Sequence, residues 1–151
     1  VLASSADADA LLMAAAVADF RPDAVSEQKI KKGDGLPTIT LTRNPDILAE
    51  VAERKQRSGF PRVTVGFAAE TQDLLANAQA KLARKGLNLI AANDVGASDA
   101  GFAVDTNRVT LLYQDGRSEV LPLLGKDEVA QAIMARVEEQ LNSVAETGSS
   151  R

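Results

Sequence analysis

With 151 residues, 45% of them hydrophobic and 25% charged, the chain has the size and composition of one soluble globular domain with its own core. It has neither Cys nor His, which excludes disulfides, thiol and imidazole catalysis, Ser-His-Asp triads and nearly every zinc or transition-metal site. A net charge of −4 and 3% aromatic residues argue against a nucleic-acid-binding surface, and any metal is expected to be a hard cation held by oxygens, namely Mg²⁺ on a phosphate.

The first apolar run, Ala10 to Ala18, is far short of the ~20 residues a spanning helix needs. Asp7 and Asp9 precede it without any Lys or Arg, the wrong charge for a secretory signal, so a cytoplasmic location is expected. Leu11 to Val17 reads as a strand buried on both faces, as in a parallel sheet, and closed by Ala18-Asp19-Phe20-Arg21-Pro22; Ala and Met also favour a helix there. Asp23 to Gly35 reads as a polar loop that carries Lys29-Ile30-Lys31-Lys32 and Gly33-Asp34-Gly35. Thr38 to Thr42 reads as a half-exposed strand.

Asn44-Pro45-Asp46 reads as a helix start, with Asn as N-cap, Pro at the first helical position and Asp at the positive end of the dipole. Ile47, Leu48, Val51 and Ala52 give that helix its apolar stripe, and Ser58-Gly59 stops it. Arg62 to Phe67 is a second strand. A helix from about Thr71 to Lys85 buries Leu74, Leu75, Ala78 and Leu82 and ends at Gly86. Leu87 to Ala91 is a third strand, followed by a polar loop from Asn93 to Gly101. Val109 to Tyr113 and Glu119 to Leu123 flank Gln114-Asp115-Gly116-Arg117, a hairpin signal. A last amphipathic helix runs from about Asp127 to Leu141, with Val129, Ile133, Val137 and Leu141 four apart, and the tail from Asn142 is polar and expected to fray.

This order predicts a three-layer, Rossmann-like α/β sandwich with a mostly parallel sheet and a late antiparallel hairpin. Residues 1–142 form its one domain and 143–151 a polar tail. Ligands of such sheets sit beyond the carboxyl ends of the strands, here Asp19, Phe67 to Glu70 and Ala92 to Asp94. Neither G-x-G-x-x-G nor G-x-x-x-x-G-K-[ST] occurs, which argues against an NAD-linked oxidoreductase and excludes a P-loop in this sequence. Lys29, Lys31 and Lys32 read either as a solvated loop or as a lid over phosphates. Lys81 and Lys85 share one helix face, where snorkelling over the core is the alternative to ligand binding. Lys81 lies about 12 helical residues past Ala69, roughly 18 Å. Phe67 and Lys85 therefore touch one nucleotide only if the helix starts late, lies across the site, or belongs to a second subunit. The Asn44 to Ile47 turn offers free N–H groups as well as a cap.

Taken in order, Ala14-Ala15-Ala16-Val17-Ala18-Asp19-Phe20-Arg21-Pro22, Lys29-Ile30-Lys31-Lys32, Asn44-Pro45-Asp46-Ile47-Leu48, Gly66-Phe67-Ala68-Ala69-Glu70-Thr71, Ala92-Asn93-Asp94-Val95 and Gly101-Phe102 with Asp105 and Asn107 closely resemble phosphopantothenoylcysteine synthetase, the bacterial phosphopantothenate–cysteine ligase. The resemblance runs from about Ala10 to about Leu141. It implies a CTP-dependent ligase of coenzyme A biosynthesis that joins 4′-phosphopantothenate to cysteine through an acyl-cytidylate. It also implies a nucleotide site of Met13, Ala14, Ala15, Asp19, Lys29, Asn44, Pro45, Asp46, Ile47, Phe67, Lys81 and Lys85, with no protein ligands to a metal and Mg²⁺ carried by CTP. Lys29 would hold the catalytic, electrostatic role, Phe67 a flat apolar face for the pyrimidine, and Asp19 with the groups near Asn44 the selection of cytosine. A homodimer is implied, as is fusion to a flavin-dependent decarboxylase, with no nucleic-acid or membrane partner. The family's opening strand, Gly-rich turn and acyl-cytidylate asparagine are not in the pattern found, so the sequence is expected to be a fragment that binds nucleotide better than it turns it over. The competing reading is a non-catalytic α/β interaction or dimerisation domain, in which the lysines are merely solvated and the hairpin joins two copies.

Overall fold

Val63 to Ala68 and Leu89 to Ala92 send their side chains to two covered faces, and they form the middle of a five-stranded sheet. The structure, a computed structural model, describes residues 1–15, 17–26, 28–29, 38–70, 73–94, 96 and 105–148. It divides into two units, Val1–Ala14 with Ile47–Arg151, and Ala15–Asp46. The elements in chain order are β1 (Ala10–Met13), β2 (Phe20–Pro22), β3 (Leu41–Arg43), α1 (Ile47–Ser58), β4 (Val63–Glu70), α2 (Leu74–Arg84), β5 (Leu89–Asp94), β6 (Thr106–Asn107), β7 (Val109–Tyr113), β8 (Ser118–Val120), β9 (Leu124–Gly125) and α3 (Lys126–Gly148).

In the larger unit the sheet order is β1-β4-β5-β7-β8. β1 is parallel to β4, with Met13 opposite Gly66, and β4 is parallel to β5, with Phe67 opposite Ala91. β7 runs antiparallel to β5, and β8 turns back beside β7 through Asp115-Gly116. Gly116 takes a φ of 88° there, a conformation glycine adopts without steric cost. α3 covers one face of the sheet, where Val129, Ile133 and Val137 pack on Val63, Val65, Leu89, Ala91, Val109 and Leu111. Ala78 and Leu82 of α2, with Leu48 of α1 at the margin, cover the other face against Ala68, Ile90, Ala92 and Leu112. The result is the three-layer, Rossmann-like α/β sandwich read from the sequence. Gly66 lies against the fully buried Leu87, and a Cβ on it would come within 2.5 Å of Leu87 Cδ1. The smaller unit holds a two-stranded antiparallel ribbon, β2 with β3, in which Phe20 faces Arg43 and Pro22 faces Leu41.

Several expectations are corrected. β1 stops at Met13 rather than Val17 and is an outer strand among the described residues, so its side chains are half-buried instead of enclosed. Phe20-Arg21-Pro22, read as the close of a strand, is itself a strand, and Asp19 therefore opens the ribbon rather than ending a parallel strand. The strand expected at Thr38 to Thr42 is Leu41–Arg43, paired with β2 and not in the main sheet. α1 begins at Ile47, and the Asn44 side chain, expected to cap it, is engaged elsewhere. Leu75 is 52% exposed, since the buried stripe of α2 runs through Ala78 and Leu82. α3 continues through the expected tail to Gly148, where Ala145 and Glu146 are good helix formers. Ala16, Ile30, Lys31, Lys32, Gly33, Asp34, Gly35, Thr71, Val95, Gly101 and Phe102 lie outside the described residues. No described helix is long and apolar enough to cross a membrane.

Candidate functional site

The β1–β4 ladder ends at the pair Met13 and Gly66, one residue before Phe67. At that point the Lys81 ammonium donates to the Phe67 carbonyl oxygen at 2.6 Å. The reach follows from simple geometry. β4 climbs about 10 Å from Phe67 to Glu70, and α2, which runs back because β4 and β5 are parallel, descends about 10 Å from Leu74 to Lys81. α2 starts at Leu74, later than the expected Thr71, and its return run brings Lys81 level with Phe67 within one chain. α2 starts from Asp73 in the left-handed region, φ 49°, and the Asp73 side chain makes no capping bond. Lys85 lies one turn beyond Lys81 and closes the helix, its N–H bonded to the Lys81 carbonyl. Both cations sit where the helix dipole favours positive charge. The Phe67 ring is half-buried and packs along the α3-side core, so part of the flat face expected for a base is already covered.

The smaller unit gathers Asp19 and Asn44. The Asn44 N–H donates to the Asp19 carbonyl at 2.8 Å, and its Nδ2 donates to the Ala18 carbonyl at 2.7 Å. Arg21 Nη1 donates to Asn44 Oδ1 at 2.9 Å and to the Arg43 carbonyl at 3.2 Å. A competing donor from another strand thus occupies the oxygen that would have capped α1. Arg43 in turn lies 5.8 Å above the Phe20 ring centroid, within cation–π range. Arg21 was not among the residues singled out from the sequence; its signal was a cation two residues past Asp19, in a segment read as the close of a strand. Ala14, Ala15, Asp19, Lys29, Pro45 and Asp46 are exposed, and Met13 and Ile47 are half-buried. Phe67 and Lys81 are brought together within the larger unit, where Met13 is paired with Gly66, and Asp19 with Asn44 within the smaller one.

Perturbed ionisations lie elsewhere. Tyr113 donates to Glu119 at 2.9 Å, and Arg136 grips the same carboxylate with two nitrogens at 2.6 and 3.1 Å. Arg136 holds the Glu119 carboxyl below its ordinary range, while burial, then Glu119, pushes the Tyr113 phenol up to about 12. Lys55 donates to the Arg62 carbonyl and to Asn88 Oδ1, and its burial lowers its pKa. These groups tie helices to strands. A cleft of about 320 Å³ opens between the β7–β8 turn and α3, lined by Asn88, Tyr113, Gln114, Asp115, Arg117 and Gln140 among others, and holds none of the residues predicted for a ligand. Among the described residues no three carboxylates gather to cage a metal.

A mostly parallel sheet under two helix layers, closed by a late antiparallel hairpin, defines a Rossmann-like α/β domain. The chain belongs to the DNA/pantothenate metabolism flavoprotein C-terminal domain family, whose model matches residues 1–141. It is similar to the coenzyme A biosynthesis bifunctional protein CoaBC of Bacillus subtilis, 46% identical over 129 residues that cover 85% of this chain and 31% of that protein. It is 48% identical over 134 residues to the protein of the same name from Mycobacterium tuberculosis, covering 84% of this chain and 32% of that one. A crystal structure of the C-terminal domain of a coenzyme A biosynthesis bifunctional protein CoaBC aligns with a TM-score of 0.68 at 35% identity, over 91% of this chain and 57% of that one. A Streptococcus pneumoniae DNA/pantothenate metabolism flavoprotein, at 21% identity and a TM-score of 0.65, shares the fold. The chain spans about a third of the length of the curated relatives it matches.

Proposed function

We propose that this chain carries the CTP-dependent ligase part of coenzyme A biosynthesis, joining 4′-phosphopantothenate to cysteine in the cytoplasm. The observation that carries the reading is the Lys81 ammonium seated at the Phe67 carbonyl, a cation placed where open α/β sheets receive their ligands. The names of the relatives, coenzyme A biosynthesis bifunctional proteins, support it. A phosphopantothenate carboxylate oxygen attacks the α-phosphorus of CTP, and the bond to pyrophosphate breaks. The cysteine amine then attacks the acyl carbon of the acyl-cytidylate, loses a proton, and CMP leaves with the electrons of the acyl–oxygen bond. This sequence of steps needs cations more than a protein nucleophile, which agrees with a chain lacking Cys and His.

Lys81, Lys85 and Lys29 supply positive charge toward the phosphates, Lys29 toward the departing pyrophosphate. Asp19 and the turn at Asn44 to Ile47 face the base. Magnesium would come with the triphosphate, and bound there it would neutralise charge on the leaving group. The protein acts as a homodimer and is joined to a flavin-dependent decarboxylase domain, in keeping with the word bifunctional in its relatives' names. Calorimetric titration of the chain with CTP and with ATP, both with Mg²⁺, tests the reading. CTP is expected to bind in clear preference, and equal uptake of the two, or uptake of neither, overturns it.

A further inference from the structure

Asn44 spends its carboxamide inside the smaller unit: Nδ2 on the Ala18 carbonyl, Oδ1 on Arg21. With its N–H on the Asp19 carbonyl as well, Asn44 ties the segment entering β2 to the segment leaving β3 at three points. Arg21 supplies the third. Its Nη1 spans the Asn44 oxygen and the Arg43 carbonyl, so one guanidinium nitrogen fixes both a side chain and the main chain beside it. The Asp19 carboxylate is left open, since among the described residues no hydrogen bond involves it and Arg21 is turned toward Asn44. An acceptor held this way suits a base bearing an exocyclic amino group, as cytosine does, and disfavours one with a carbonyl at that position, as uracil has.

We infer that Arg21 is a positioning residue for nucleotide selection: without touching the nucleotide, it sets the geometry in which Asp19 and the Asn44 turn meet the base. The inference rests on the ligase reading given above and adds to it the residue that controls base choice.

The test compares the wild-type chain with Arg21→Ala, Arg21→Lys and Thr42→Ala, the last in register with Arg21 on β3 but outside the three-point tie. Each is titrated with CTP, UTP and inorganic tripolyphosphate, which has no base, and melted without ligand. Arg21→Ala is expected to weaken CTP about tenfold, the loss of one charge-assisted hydrogen bond, and to narrow the CTP-to-UTP ratio by the same factor. Tripolyphosphate binding should stay at the wild-type level. Arg21→Lys should recover part of the ratio, and Thr42→Ala should keep all of it. A ratio unchanged in Arg21→Ala overturns the inference, as does an equal loss of CTP and tripolyphosphate, or a loss in Thr42→Ala as large as that in Arg21→Ala. A wild-type chain that binds tripolyphosphate but shows no preference for CTP overturns the ligase reading, and the role of Arg21 in base choice falls with it.

Discussion

Lys81 and Phe67 are 14 residues apart in sequence yet joined by a 2.6 Å hydrogen bond from ammonium to carbonyl. Lys81→Met keeps the aliphatic stem over the core and removes the charge. Losing a partner for a half-buried carbonyl should cost about 0.5–1.5 kcal/mol of stability. Losing the cation should weaken CTP by about 1.5–3 kcal/mol, or roughly 10- to 150-fold. Melting curves and calorimetry separate the two effects. A lower melting temperature with unchanged CTP affinity would leave Lys81 as a strand clamp only.

The single tyrosine of the chain, with no tryptophan present, makes its own titration easy to read. In the fold its neutral phenol is favoured, its pKa pushed up to about 12 by burial and the bond to Glu119. That contribution to stability is whole below about pH 10, the unfolded value, and is lost as pH rises toward 12. Glu119 acts at the other end of the scale. Its carboxyl is held down by Arg136, so its contribution is whole above the ordinary glutamate range and is lost as pH falls through the depressed value. Phenolate absorbance should therefore appear only near pH 12 in the wild type and earlier in Glu119→Gln. An equal midpoint in both would mean that burial alone sets the Tyr113 value.

Much of this architecture is legible in the residues because it is written in local patterns. The apolar spacing of Val129, Ile133 and Val137 gave α3, Asp115-Gly116 gave the hairpin, and Gly59 and Gly86 marked helix ends with φ of 78° and 58°. What was hidden depends on partners distant in sequence. Phe20-Arg21-Pro22 is a strand only because Leu41–Arg43 pairs with it. Asn44 has the identity of a helix cap, but Arg21 takes its oxygen. β6 and β9 are two residues each, too short for any period to show. For the candidate site, the motifs supplied the expected residues, whereas the bond from Lys81 to Phe67 required knowing where α2 begins and which way it runs.

Gly66 and Leu87 offer a test of how tightly the α2 face is packed. A methyl at Gly66 would meet Leu87 Cδ1 at 2.5 Å, and Leu87 is fully buried. Gly66→Ala should cost about 1–3 kcal/mol through overpacking, and Leu87→Ala about 2–5 kcal/mol through the cavity it leaves. In the double variant the new methyl enters the vacated space, so the combined loss should be smaller than the two single losses together. Denaturant midpoints for the four proteins measure this. Strict additivity would show that the two positions do not share the space.

The ribbon of β2 and β3 leads to a prediction about assembly. Its strands have three residues each, and an isolated two-stranded ribbon is at best marginally stable in water. Yet Phe20 is 49%, Ile39 68%, Leu41 56% and Val25 89% exposed, the kind of apolar surface that the proposed homodimer would cover. In the homodimer proposed above, a two-fold axis would set these same apolar side chains against one another. Sedimentation should show a dimer for the wild type. Leu41→Glu and Ile39→Glu each place a carboxylate on that surface without entering the sheet core, so they should yield monomers with the melting behaviour of the larger unit intact. A dimer that survives both substitutions would move the interface to another part of the surface.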